Sequence, residues 1–539
     1  MDVTGFSIIA GSIATDRTSP FRSIDPATGR NGTVEFHAAG LAEVDLACRA
    51  AADDFDAFAS HPPQRRADFL ERCAAGIAQL GDALVAMVSS ETGLAAPRVA
   101  GERDRTVNQF RFFAGLVREG SWVEAVIDRG DPARTPLPKP DLRRMLRPLG
   151  PVAVFGASNF PLAYSAGGGD TASALAAGCP VVVKGHPSHP GTGEMVAAAI
   201  TRAARESSMP AGAFSYLHAG GTRELDIGRA VITHPSIKAG GFTGSLGGGM
   251  ALARLAADRR DPIPVFAEMG SANPVFILPG AAENMGSDIA QRLHASVTNS
   301  AGQMCTCPGL IFVIRSAAAD ALINRLGELM GQTESMVMLS PRIRGGFIDR
   351  VATVESMPGV RVAAGGPHER PKTIGEQLTG GSYARPTLLV TDFAAFKAHH
   401  TLREECFGPS TLAIVCDSFE QLAEAAGLVD GSLTGTIWAD PNIDQDAAVK
   451  IHRSLEQRAG RMIFNGVPTG VEVAPAMVHG GPYPATNQPH TSAVGSLALR
   501  RWCRPVCYQN CPPWMLAPEL SDANPRGILR WVDGSLGRS

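Results

Sequence analysis

The sequence predicts an α/β protein made of two parallel-sheet domains and a small oligomerisation element. Three observations carry that expectation. From Pro151 onward, short apolar runs alternate with helical stretches: Val152–Phe155, then 170–177, then Val181–Val183, then 192–204. Such alternation marks βαβ units on a parallel sheet. The same alternation restarts after Gly270 and runs to about Val467. Finally, 539 residues exceed what one hydrophobic core supports.

Composition excludes several classes. The net charge is −3 with both signs mixed along the chain, so no basic stripe argues for nucleic acid or an anionic membrane. No basic segment followed by an apolar one opens the chain, and no apolar run approaches the roughly 20 residues of a membrane span. A soluble, cytoplasmic protein is expected. The ten cysteines include two clusters, Cys305 with Cys307 and Cys503 with Cys507 and Cys511, neither at zinc spacing. Reduced thiols and no metal are expected.

Taken in order, turn residues over 23–29 suggest an opening hairpin. Val44, Ala47, Cys48, Ala51, Phe55 and Phe58 recur at helical spacing, as do Leu70, Cys73, Ile77, Leu80 and Leu84. A third helix is predicted from Pro97 to Leu116, with Asn108, Gln109 and Arg111 beside Phe110, Phe112 and Phe113. Residues 132–150, rich in Pro, Arg and Lys, read as an excursion used for oligomerisation. This sets one domain at 1–131 plus 151–270 and a second at 271–467. Residues 478–521 are expected to wrap over other surfaces, and 522–539 to form a loosely ordered tail.

The chemistry-bearing residues sit at element ends. A strand over Ile237–Gly241 runs into Phe242-Thr243-Gly244-Ser245-Leu246-Gly247-Gly248-Gly249, a turn able to bring backbone N–H groups to a pyrophosphate. Lys184 ends another strand at the same carboxyl edge, where open α/β sheets bind ligands. Glu268 ends a third, as a general base or a capping carboxylate. Asn159, between apolar neighbours and before Phe160-Pro161, is either a turn residue or an amide donor to a reacting carbonyl. Cys305 lies in Asn299-Ser300-Ala301-Gly302-Gln303-Met304-Cys305-Thr306-Cys307-Pro308-Gly309, between a helix ending near Thr298 and a strand over Leu310–Ile314. A cysteine on such a turn suits nucleophilic catalysis, with Cys307 as its rival.

Five motifs then occur in order: Ser158-Asn159-Phe160-Pro161, Phe242-Thr243-Gly244-Ser245, Glu268-Met269-Gly270-Ser271-Ala272-Asn273-Pro274, Gly302-Gln303-Met304-Cys305 and Glu404-Glu405-Cys406-Phe407-Gly408-Pro409. With them, essentially the whole chain resembles the aldehyde dehydrogenase family. The resemblance implies two Rossmann-like domains, a homodimer or homotetramer, and NAD(P)-dependent oxidation of a small-molecule aldehyde to its acid. It implies Cys305 as the nucleophile, through a thiohemiacetal and a thioester, with the Gly-Gln-x-Cys register selecting it over Cys307. Asn159 and the Cys305 N–H would hold the oxyanion, and Glu268 would activate water. Lys184 would meet the adenosine ribose, Gly244 and Ser245 the pyrophosphate, and Glu405 and Phe407 the nicotinamide ribose and ring.

Two departures narrow the expectation. Many members carry a Glu three residues after the Lys, where this chain has Pro187. Loss of that carboxylate relieves repulsion against a 2′-phosphate, so NADP is expected to be accepted and preferred, alongside NAD. His186 and Ser188 are candidate phosphate contacts. The block from Val478-His479-Gly480-Gly481-Pro482-Tyr483-Pro484 to Asn510 is similar to the α-ketoglutaric semialdehyde (2,5-dioxovalerate) dehydrogenase branch. That similarity implies oxidation of 2,5-dioxopentanoate to 2-oxoglutarate, with an NADP-dependent fatty aldehyde dehydrogenase as alternative. Arg111 is the expected cation for the substrate carboxylate. A cysteine esterase or acyltransferase using the same thiol is the rival from another class.

Overall fold

The computed structural model describes residues 3–366 and 380–538; residues 367–379, inside the expected 271–467 unit, lie outside the described residues. Five parallel strands form the body of a first sheet, in the spatial order Val265–Glu268, Ala239–Thr243, Val152–Phe155, Val181–Lys184 and Phe214–Leu217. The short pair Ile8–Ile9 and Ser12–Ile13 extends the far edge antiparallel. These strands are apolar on both faces because both faces are covered. Val152 and Val154 enter one core with Phe69, Leu70, Phe110, Phe113 and Trp502. Ala153 and Phe155 enter another, with Val44, Ala47, Cys48 and Ala51 of the Leu41–Asp53 helix.

Strand Val152–Phe155 sits in the middle because the chain first builds outward from it and then returns to add Ala239–Thr243 on its other side. That reversal opens a crevice at the carboxyl edge. In register there, Thr243 lies opposite Glu268, and Phe155 opposite Lys184.

The second sheet runs Arg361–Gly365, Thr387–Asp392, Ser410–Cys416, Leu310–Ile314, Val275–Ile277, Ser432–Trp438 and Ala459–Phe464, all parallel except the first. The expected class, α/β with two parallel sheets, is met. The predicted third helix extends over Ala96–Glu119, where Gly120 at φ 86° ends it.

A third, five-stranded sheet joins segments the sequence left apart. Leu142–Pro148, the second half of the Pro-rich excursion, pairs antiparallel with Cys503–Gln509 over its whole length. Val126–Asp128 follows, then Arg530–Val532 and Ser535–Gly537. The tail expected to be loose is therefore ordered. Ile528 is buried, and the buried Arg530 guanidinium donates to the carbonyls of Glu519, Ser521 and Asp522. A three-residue strand anchored by a charged residue leaves no periodicity to read. Among the described residues, no single helix is long and apolar enough to cross a membrane.

Candidate active site

The two sheets turn opposite edges toward each other. Glu268, Thr243 and Lys184 finish strands of the first sheet, whereas Cys305 and Cys307 precede strand Leu310–Ile314, Asn273 precedes Val275–Ile277, and Glu405 and Phe407 precede Ser410–Cys416. The site is thus built from carboxyl ends on one side and amino ends on the other.

Local backbone geometry presents the thiol. Helix Pro279–Thr298 stops, and Ser300, Ala301 and Gly302 follow at φ 51°, 56° and 66°. Three successive left-handed residues reverse the chain sharply. A Cβ on Gly302 would lie 2.2 Å from the Gly408 carbonyl, so only glycine fits. The turn is then pinned by the fully buried Asn273. Its amide donates to the carbonyls of Cys305 and Cys307, both at 2.9 Å, and its oxygen accepts from Ser271 Oγ and Thr434 Oγ1. Gln303 adds a second clamp, donating to Ser300 O and accepting from the Leu339 N–H.

Two predicted residues, Asn159 and Glu268, approach this turn. Asn159 Nδ2 donates to Gln303 O at 3.0 Å and keeps a second hydrogen for a substrate oxygen. Its own carbonyl accepts from Arg98 at 2.9 Å, and Arg98 also donates to Ser300 Oγ and pairs with Glu102. Glu102 in turn accepts from the N–H groups of Leu162 and Ala163, which fixes the loop that carries Asn159.

Between Cys305 and Glu268 stands His479, which the sequence reading did not single out. Its Nε2 is 3.5 Å from Cys305 Sγ and 2.9 Å from Glu268 Oε1. The contact with Glu268 is within ion-pair distance but misaligned for a hydrogen bond, and neither Glu268 oxygen has another partner. The ligand atoms of all three residues lie within 4.8 Å of one another. Strand Val265–Glu268 positions this imidazole. The 485–487 segment runs along that strand through Met269 N–H to Ala485 O at 2.8 Å and Ala267 N–H to Asn487 Oδ1 at 2.9 Å. The His479 N–H donates to Ser492 Oγ. Nothing in a lone His before Gly-Gly-Pro signals this, since 174 residues separate it from Cys305.

Electrostatics around the thiol oppose one another. Burial, then the Glu268 and Glu405 carboxylates, push Cys305 well above its ordinary value, while Arg105 and Arg461 pull it down. Burial and Glu405 also push Cys307 up, and its side chain belongs to the core with Met304 and Ile311. Glu405 accepts from the Ser271 N–H, and burial raises it to about 7. A Cβ on Gly270 would lie 2.6 Å from its Oε2, so this glycine admits the carboxylate. Phe407, Glu405, Cys406 and Cys307 line one cavity.

The cofactor edge is equally specific. Gly244 follows strand Ala239–Thr243, and Ser245 caps the Leu246–Ala257 helix by accepting from the Gly248 N–H at 3.2 Å. A Cβ on Gly249 would meet Met269 Sδ at 2.7 Å, so helix and strand approach closely. A helix N-terminus at the sheet's reversal point, with Lys184 on the same edge, fits a dinucleotide. Lys184 Nζ donates to Glu224 Oε1 at 3.0 Å. Nearby, Ser188 N–H donates to His186 Nδ1, whose ring stacks on His189 and whose burial holds it neutral, well below the ordinary range.

Arg111 is not brought to the group. Its side chain is 55% exposed and faces Glu71 at 4.0 Å. The arginines of the same helix that turn toward the site are Arg98 and Arg105.

Two parallel sheets meeting over a thiol, a carboxylate and a nucleotide-type helix terminus define an α/β dehydrogenase. The description of the aldehyde dehydrogenase family matches residues 13–482, and the chain belongs to that family. Alpha-ketoglutaric semialdehyde dehydrogenase 2 of Azospirillum brasilense is 43% identical over 535 residues, covering 99% of each chain. Alpha-ketoglutaric semialdehyde dehydrogenase of Acinetobacter baylyi is 42% identical over 502 residues, covering 93% of each. Among solved structures, betaine aldehyde dehydrogenase of Staphylococcus aureus in complex with NAD+ is similar with a TM-score of 0.80 at 20% identity, covering 95% of this chain and 96% of that one. That likeness bears on the fold.

Proposed function

We propose that the protein oxidises 2,5-dioxopentanoate to 2-oxoglutarate with NAD(P), through an acyl intermediate on Cys305. The observation that carries the chemistry is the Cys305–His479–Glu268 contact, set beside the Asn159 amide. The relatives at 42% and 43% identity over nearly the whole chain support the substrate.

Cys305 loses its proton to His479 and attacks the aldehyde carbon, forming a thiohemiacetal oxyanion. Asn159 Nδ2 and the Cys305 N–H donate to that oxygen. The bound nicotinamide supplies the hydride acceptor. Collapse of the oxyanion with loss of hydride to that acceptor leaves a thioester, and Glu268, whose Oε2 has no partner among the described residues, takes a proton from water as the water attacks the acyl carbon. Return of a proton through His479 restores the thiol. Glu405 and Phe407 would hold the nicotinamide ribose and ring, Gly244 and Ser245 the pyrophosphate, and Lys184 the adenosine ribose.

Cofactor choice turns on Glu224. The absence of a carboxylate at Pro187 argues for NADP only if none replaces it, and Glu224 supplies one against Lys184 from another element. Both cofactors are accepted in this reading, with NAD favoured, because His186, held neutral by burial, and Ser188 offer a 2′-phosphate no positive charge. The five-stranded sheet supports a homo-oligomer, since Trp531 and Leu536 of its strands and Trp514 and Met515 of the Pro513–Met515 turn in the connection between two of them are exposed.

The test is a panel of kcat/KM values for 2,5-dioxopentanoate, glutarate semialdehyde, glycolaldehyde and a medium-chain aldehyde, followed by nicotinamide reduction. The reading expects 2,5-dioxopentanoate to lead. Preference for the medium-chain aldehyde overturns the substrate, and product formed without cofactor reduction overturns the dehydrogenase chemistry.

A further inference from the structure

We propose that Arg105 and Arg461 together form the binding site for the carboxylate of the aldehyde substrate. The proposal rests on the reading above and names the residues that select an acidic aldehyde.

The two arginines come from different parts of the fold, Arg105 from helix Ala96–Glu119 and Arg461 from strand Ala459–Phe464. Both guanidinium groups converge on one loop. Arg105 Nη1 donates to Val471 O, while Arg461 Nη1 and Nη2 donate to Gly470 O at 2.8 Å and Pro468 O at 2.6 Å. Arg105 Nη2 also donates to Tyr164 OH at 3.3 Å. The Tyr164 ring lies 5.8 Å from the His479 ring, and His479 touches Cys305, so the pair stands one aromatic ring away from the thiol.

Neither arginine has a carboxylate partner beside it among the described residues. Among the described residues, Arg98 is paired with Glu102, Arg501 with Asp170 and Arg526 with Glu519. Arg105 and Arg461 have only carbonyl and hydroxyl partners, and the Nε of each is buried with no hydrogen-bond acceptor. The Arg105 charge disfavours that of Arg461, and each buried donor without a partner carries a cost. A carboxylate removes both penalties, because it is anionic and offers two oxygens to planar N–H forks. Each arginine also acts on Cys305 through space.

The same charges aid thiolate formation, so an effect on the thiol must be separated from an effect on the substrate. The measured quantity is the ratio of kcat/KM for 2,5-dioxopentanoate to kcat/KM for pentanal, in the wild type and in Arg105→Met, Arg461→Met, Arg105→Lys and Arg461→Lys. A weaker thiolate lowers both terms and leaves the ratio alone. Loss of a carboxylate contact lowers the ratio, by about 10-fold to 100-fold for each Met variant, mainly through KM. The Lys variants, which keep the charge without the fork, fall between and report even if the Met variants fail to fold. A high wild-type ratio that neither substitution changes overturns the arginine pair. A wild-type ratio near one overturns instead the acidic-substrate reading on which the pair rests.

Discussion

His479 Nε2 stands 3.5 Å from the Sγ of Cys305. The same nitrogen is 2.9 Å from Glu268 Oε1, so one imidazole joins the thiol to the carboxylate. Replacing it by Gln keeps polarity and removes the proton carrier. We expect His479→Gln to slow alkylation of Cys305 by iodoacetamide at pH 7 by about 10-fold and to lower kcat by about 100-fold. An unchanged alkylation rate would show that the thiol does not use this imidazole.

Cys305→Ser is expected to abolish aldehyde oxidation while nicotinamide binding, followed by fluorescence quenching, persists. Cys307→Ser is expected to retain turnover, because that thiol is packed among Met304 and Ile311 rather than beside His479. Turnover that survives in the first variant and disappears in the second would exchange the two roles.

Glu405 gives the pH dependence. Burial raises it to about 7, so it is protonated below that pH and ionised above it. A ribose diol donates two hydrogen bonds best to the ionised form, so binding favours loss of the proton. The cofactor Kd should therefore be flat above pH 7 and rise about tenfold for each pH unit below it. Calorimetric titration from pH 5.5 to 8.5 checks this, and the same slope in Glu405→Gln would assign it to another group.

Glu224 pairs with Lys184, the residue proposed to hold the adenosine ribose. Glu224→Gln removes that negative charge, and the NADP to NAD ratio of kcat/KM should rise about tenfold. A ratio that stays constant would move cofactor selection elsewhere on the edge.

Much of the fold was readable from local pattern. Val152–Phe155 and Val181–Lys184 are short apolar runs followed by helices, and that pattern alone predicts a parallel sheet. The thiol and the Asn159 amide lie in turns near Gly or Pro, and Glu268 ends a strand just before Met269-Gly270, so their placement at a cleft could be read locally. Asn273 was legible only as part of a motif, since its five contacts join residues as far apart as Cys305 and Thr434.

The sequence by itself determined the two parallel sheets, the turn that carries Cys305 and the family resemblance, because each depends on residues that are neighbours along the chain. Only the tertiary structure decided that one sheet offers its carboxyl edge and the other its amino edge. It alone brought His479 to Cys305 and Glu224 to Lys184, and turned the tail into a strand beside Val126–Asp128. It also set which neighbours Arg105 and Arg111 meet. Six residues at 3.6 per turn separate them by about 120° around one helix, so one faces Tyr164 and the other Glu71. Spacing fixes such an angle, but which face meets the active site depends on packing against chain segments hundreds of residues away.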